Sequence, residues 1–142
     1  MRIKIKRLDK TLPLPEYKTS GAVAFDLTAR TDAAIEPKTL SLVPLNVIIK
    51  IPEGHTMILA SRSSLPIKKG LLIPNGIGVF DQDYCGPEDE WRLEVFNFTD
   101  KKVKIEKGER IAQALIVPIV RAEWDEVDEM TEPTRGGFGS TG

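Results

Sequence analysis

The apolar residues of this chain recur with a period of two. Ile3 and Ile5 alternate with Arg2, Lys4 and Lys6, and Val103 and Ile105 alternate with Lys102 and Lys104, the pattern of strands with one face buried and one in water. Further strand-like runs are Val23 to Thr28, Leu42 to Ile51, Met57 to Ser61, Gly78 to Tyr84, Trp91 to Phe98 and Ala112 to Val120. Turn chemistry separates them at Pro52-Glu53-Gly54, Pro74-Asn75-Gly76 and Glu106-Lys107-Gly108. Ile111 to Leu115 resembles a helical turn, but the β-branched residues that follow and Pro118 oppose a helix there. The prediction is an all-β chain, a sandwich or closed barrel, with very little helix.

A chain of 142 residues can bury one sizeable core without disulfides or a structural metal. It is read as a single domain, 1–142, with the β structure in 1–124 and a C-terminal arm in 125–142. Lys plus Arg number 20 against 21 Asp plus Glu, which gives no basic surface for a nucleic-acid backbone or an anionic membrane. Any polyanion it binds must be small and locally held. The only cysteine, Cys85, rules out an internal disulfide framework and is expected to be a small buried filler. The N-terminus lacks an apolar core of signal length and no later stretch approaches a membrane span, so a cytoplasmic, unprocessed protein is expected.

His55 is the single histidine and sits in a turn-like Pro-Glu-Gly-His stretch, where an exposed loop residue is expected. Neither a GxxxxGK[ST] phosphate loop nor a Rossmann glycine fingerprint occurs. The chemistry therefore falls to carboxylates, Arg, Lys, hydroxyls and backbone amides. After Trp124 the chain turns acidic, then ends as Thr134-Arg135-Gly136-Gly137-Phe138-Gly139-Ser140-Thr141-Gly142. By composition this is a disordered tail. Its Arg, Phe, Ser and Thr also supply a phosphate fork, a stacking face and hydroxyls, on a backbone free to wrap an anion.

Five segments resemble, in order, the five motifs of the trimeric dUTPase family. They are Ser20 to Ala29, Ser61 to Gly70, Asn75 to Gly86, Lys107 to Gln113 and Arg135 to Gly142. Ala24, Ser64 and Pro66 depart from the family pattern, and Pro87 to Phe96 looks like a longer hairpin. The resemblance implies a jelly-roll-like β-barrel, a homotrimer with sites shared between subunits, and a flexible C-terminal arm that closes each site. It implies dUTP as substrate, hydrolysed to dUMP and pyrophosphate with Mg2+ on the phosphates.

Residue by residue, the family's general base falls on Asp81 and its sugar platform on Tyr84. Asn75 and Gly78 fall in the hairpin that receives uracil. Arg62, Ser63, Ser64 and Gln113 fall on phosphate contacts. In the tail, Phe138 covers the base, and Arg135, Gly139, Ser140 and Thr141 close on the phosphates. Asp26 falls near the metal and acts on it only through water. Taken singly, each segment reads as an ordinary turn or strand end.

Two other readings share the pattern. A dCTP deaminase, alone or bifunctional, has a similar Arg-Ser-Ser-Leu stretch, and Glu94 stands about where that family keeps its catalytic glutamate. Against it stand Asp81-Gln82-Asp83-Tyr84 and the Phe138 tail. A catalytically silent nucleotide-sensing module is the second, and an intact Asp81, Tyr84, Gln113 and Phe138 argue against it.

Overall fold

A computed structural model describes residues 1–137 and Gly139. The strands are β1 (Lys4–Arg7), β2 (Phe25–Thr28), β3 (Ala33–Ile35), β4 (Leu40–Pro44), β5 (Val47–Lys50), β6 (His55–Ser61), β7 (Leu71–Leu72), β8 (Gly78–Phe80), β9 (Arg92–Asn97), β10 (Val103–Ile105) and β11 (Arg110–Pro118). One helix, α1 (Leu65–Lys69), follows β6. All pairings are antiparallel, in the orders β2-β11-β6-β8, β4-β9-β7, β1-β5 and β10-β3. The architecture is the expected all-β, jelly-roll-like fold with almost no helix, although hydrogen bonds do not close its sheets into one barrel among the described residues.

β11 is the spine, pairing with β2 on one side and β6 on the other. Its Ile111, Ala112 and Ala114 are buried. The core gathers Leu27, Val43, Met57, Leu59, Leu71, Leu93 and Val95 from both larger sheets, with Ile35 of β3 and Trp91 of the loop before β9. Truncating a residue such as Leu93 to Ala there costs about 2–5 kcal/mol. Trp91 is 0% exposed. Its ring stacks on Phe80 at 3.8 Å, while its indole N–H finds no partner among the described residues.

Several boundaries differ from the sequence reading for local reasons. The run Leu42 to Ile51 breaks at Leu45-Asn46, where buried Asn46 takes a left-handed φ of 67°. Its amide accepts from Asp9 N at 2.6 Å and donates to Asp9 O at 3.0 Å, which stabilises the break. The little helix expected is α1, after Ser61, which Pro66 enters in the first turn and Gly70 ends at φ 66°. A Cβ on Gly70 would lie 2.1 Å from Thr99 Cγ2, so a larger residue there would be strained and would push Thr99 aside. β3 and β7 are too short to leave a periodic signal.

The expected longer hairpin over Pro87 to Phe96 is not one. β8 ends at Phe80 and pairs with β6, whereas β9 pairs with β4 and β7. Residues 81–91 form a loop between two sheets, turned by Gly86 N–H donating to Asp89 Oδ2 at 2.6 Å. The segment around Asn75 likewise joins strands of different sheets, since β7 pairs with β9 and β8 with β6. His55 opens β6 half-buried rather than sitting exposed in a loop, and its Nδ1 lies 3.0 Å from Glu53 O. Cys85 is half-buried rather than buried. No helix among the described residues is long and apolar enough to cross a membrane.

Candidate functional site

One group of predicted residues assembles where β2, β6 and β11 lie side by side. Gln113 of β11 is opposite Asp26 of β2 and opposite Ala60 of β6. Its side-chain amide donates to Ser61 O at 2.9 Å. The chain leaves β6 at Arg62, whose Nε lies 3.1 Å from Asp26 Oδ1. Arg110 donates from Nη1 to Asp26 Oδ2 at 2.9 Å. One carboxylate thus faces two guanidiniums, Arg110 by a charge-assisted hydrogen bond and Arg62 by an ion pair.

Arg110 reaches Asp26 because the register of β11 against β2 shifts between Arg110 and Ala112. An irregularity of this kind re-aims a side chain. The sequence reading passed over Arg110; its only signal is its place at the head of the strand that carries Gln113.

Beside this triad lies a cavity of about 240 Å³, lined by Arg62, Ser64, Leu65, Lys68, Lys69, Glu109 and Arg110. Four cationic side chains face one carboxylate, and Glu109 is itself paired with Lys69 at 2.8 Å. The net positive wall, with the exposed Ser63 hydroxyl beside it, suits a compact polyanion. Lys68 and Lys69 lie within the second segment, Ser61 to Gly70, but the sequence reading assigned them no role.

A second group lies along β8 and the loop after it. Gly78 is opposite Leu59, and a Cβ there would come 3.2 Å from Leu59 Cβ. Asn75 is exposed in the preceding turn. Asp81 is exposed and follows Phe80, whose carbonyl accepts from Thr56 Oγ1 at 2.7 Å; Gln82 Nε2 donates to His55 O at 3.0 Å. Tyr84 is 40% exposed, with its ring 6.0 Å from Phe80 and its hydroxyl 3.4 Å from Glu90 O.

The two groups do not meet within one chain. Asp81 lies by the His55–Thr56 end of β6 and Arg62 by the Ser61 end. From Thr56 to Arg62 a strand rises about 20 Å at about 3.3 Å per residue. Glu94 sits in β9 opposite Leu42, in a different sheet from Asp26 and Gln113.

The C-terminal segment carries no helix or strand among its described residues from 119 on. Arg135 is exposed, and Gly136 and Gly139 take left-handed φ values of 81° and 90°, which glycine adopts without a steric cost. Phe138, Ser140 and Thr141 lie outside the described residues. As to metals, no three His, Cys, Asp or Glu side chains converge among the described residues, and both oxygens of Asp26 are engaged by arginines.

A family model described as dUTPase matches residues 10–142. The deoxyuridine 5'-triphosphate nucleotidohydrolase of Hydrogenobaculum sp. (strain Y04AAS1) is 42% identical over 145 residues, spanning 100% of this chain and 99% of the relative. That of Nautilia profundicola is 38% identical over 144 residues, with 100% and 99% coverage. Among solved structures, dUTPase from Streptococcus mutans superposes with a TM-score of 0.78 at 30% identity, over 84% of this chain and 98% of that one. Staphylococcus bacteriophage 80alpha dUTPase with dUpNHpp gives 0.86 at 27% identity, over 99% and 98%.

Proposed function

This chain belongs to the dUTPase family, and we propose that it hydrolyses dUTP to dUMP and pyrophosphate at sites shared between copies of a homotrimer. The observation that carries the shared site is the separation along β6. The cationic group of Asp26, Arg62, Ser63, Ser64, Arg110 and Gln113 is at one end and Asp81 with Tyr84 at the other. A nucleotide that meets both needs the second from another copy. The arm supports the same reading: Val120 is 97% and Trp124 93% exposed on a segment without helix or strand, apolar surface that a neighbouring copy would cover.

In this mechanism the triphosphate lies against Arg62, Ser63, Ser64 and Gln113, while Asn75 and the backbone about Gly78 receive the uracil edge. The Tyr84 ring packs on the deoxyribose and leaves no room for a 2′-hydroxyl. Asp81 accepts a proton from water as the water oxygen bonds to the α-phosphorus and the bond to the bridging oxygen of the β-phosphate breaks, releasing pyrophosphate. Arg135, Phe138, Gly139, Ser140 and Thr141 close over the nucleotide and exclude bulk water.

Mg2+ fits this site as an ion carried in on the phosphates, with Asp26 contributing through water alone. When bound, it supplies charge neutralisation along the triphosphate. The domain is one unit, with the β-barrel in 1–124 and the arm in 125–142. The setting is cytoplasmic, where the reaction limits uracil incorporation into DNA and supplies dUMP for dTTP synthesis; no nucleic acid or membrane takes part.

The test is pyrophosphate release from dUTP, dCTP, dTTP and UTP in parallel, with magnesium and with chelator. Release from dUTP alone, lost on chelation, is the expected result. Release from dCTP with ammonia would instead establish the deaminase reading through Glu94.

A further inference from the structure

Neither Asp81 nor Tyr84 is fixed by its own side chain in the described structure. The Asp81 carboxylate has no hydrogen bond recorded to a described residue, and Tyr84 makes only the 3.4 Å contact of its hydroxyl with the Glu90 carbonyl. Their placement comes from the backbone of the 81–91 loop, which Gln82 ties to His55 O at 3.0 Å, and from the loop's two ends. One end is Phe80, stacked on Trp91 at 3.8 Å with the rings 16° apart. The other is Glu90, next to Trp91 in the chain.

Glu90 is 5% exposed, the one buried carboxylate among the described residues. Both its oxygens are bound: Arg30 donates from Nε at 2.7 Å and from Nη2 at 2.9 Å, and Asn46 N–H donates at 2.9 Å. Arg30 directly follows buried Ala29, and its own N–H donates to Pro44 O at 2.8 Å. The Glu90 carboxylate, by its hydrogen bond, raises the Arg30 guanidinium above its ordinary pKa. The bidentate fork fixes a plane as well as a distance. Through it the loop that carries Asp81 and Tyr84 is tied to the segment between β2 and β3 and to the β4–β5 break.

We propose that Glu90, clamped by Arg30, is a positioning residue that sets the height of the Tyr84 ring and so the discrimination between deoxyribose and ribose. The inference rests on the reading of Tyr84 as the sugar platform. Glu90 touches no substrate atom in this account; it acts through its own carbonyl, through Trp91 and Phe80, and through the orientation these give to Tyr84. The path is contiguous, from Arg30 to Glu90, then to the Tyr84 hydroxyl and to the Phe80 ring against which Tyr84 leans at 6.0 Å.

The experiment measures kcat and KM for dUTP and UTP with full-length wild type, Glu90→Gln, Arg30→Lys and Tyr84→Phe, alongside circular dichroism and oligomer size. Glu90→Gln keeps the shape but loses the charged fork. It is expected to lower the dUTP-to-UTP ratio of kcat/KM tenfold or more. Arg30→Lys, which keeps the charge and loses the fork, should fall between it and wild type. Tyr84→Phe leaves the buried pair intact and removes only the hydroxyl; it should lower the ratio in the same direction, and the double variant with Glu90→Gln should add little. A folded Glu90→Gln with an unchanged ratio overturns the proposal and leaves the pair a stability element. If Glu90→Gln does not fold, an unchanged ratio in Tyr84→Phe overturns it equally. A wild-type chain that hydrolyses neither nucleotide refutes the reading of the site instead. Hydrogen exchange at Asp81 to Cys85 in Arg30→Lys then decides Glu90's role, with unchanged protection counting against it.

Discussion

Asp26 on β2 and Arg62, just past the end of β6, are joined across β11: Arg62 Nε lies 3.1 Å from Asp26 Oδ1, while Arg110 occupies the other carboxylate oxygen at 2.9 Å. The two arginines proposed to meet the phosphates are therefore held before any ligand arrives, which lowers the entropic cost of binding. Asp26→Asn removes the charge that orders both guanidiniums. Hydrogen bonds to charged groups contribute about 1.5–3 kcal/mol, so KM for dUTP should rise about tenfold to a hundredfold, at about 1.4 kcal/mol per factor of ten. An unchanged KM in steady-state kinetics would show that the arginines are held by something else.

Tyr84→Ala deletes the proposed sugar platform altogether. UTP should then become a substrate within about an order of magnitude of dUTP, since a pocket that merely excludes a hydroxyl by shape discriminates through roughly 1–3 kcal/mol of contact. Competition assays with the two nucleotides read this directly. If selectivity survives, the sugar is recognised elsewhere.

Removing residues 135–142 should abolish turnover without changing oligomer size or thermal stability. The described part of this stretch is exposed and outside every sheet, so the fold does not depend on it. Gel filtration and dUTP assay on the truncated chain suffice, and retained activity would make the tail a mere terminus.

The pH dependence of stability has a local source at Asp9. Lys107 and Thr11 hold its carboxyl well below the usual carboxylate range; Lys107 Nζ lies 2.6 Å from one oxygen and Thr11 donates to the other from N at 2.8 Å and from Oγ1 at 2.6 Å. A depressed folded pKa contributes stability that is complete above the unfolded value near ~4 and is lost as pH falls toward the folded one. Asp9→Asn should thus lower Tm at neutral pH, and the gap from wild type should narrow as pH drops below about 4. Because the pair is at the surface, added salt should shrink the effect as well. A gap that stays constant through acid would assign the loss to packing.

The period-two pattern made the all-β class legible, and burial alternates as expected in β2 and β9; in β1, by contrast, Ile5 is exposed, so the alternation there marked a strand without marking a buried face. Pairing was not legible. Pro87 to Phe96 reads as a hairpin, yet β8 ends at Phe80 and joins β6 while β9 joins β4 and β7, choices made by the whole sheet and not by the loop between them. The break at Asn46 hides in an apolar run because it depends on Asp9, 37 residues away. The same holds at the site. Asp26, Arg62, Gln113, Asp81 and Tyr84 stand in recognisable motifs, whereas Arg110 matters through a partner 84 residues distant and Arg30 through one 60 residues distant. Isolated charges in a sequence do not announce such partners.

The separation of Asp81 from Arg62 along β6 makes the shared site the claim most open to test, and mixing inactive chains is the direct measurement. Asp81→Asn alone should bind dUTP but turn over at least about a hundredfold more slowly, the scale of a lost general base; Arg62→Ala alone should also be nearly inactive. Unfolded together and refolded as mixed oligomers, the two should regain dUTP hydrolysis well above the sum of the separate preparations, because some sites then combine an intact Arg62 from one chain with an intact Asp81 from another. Mixed oligomers that remain as inactive as their parents would place both residues in the same chain's site and contradict the account.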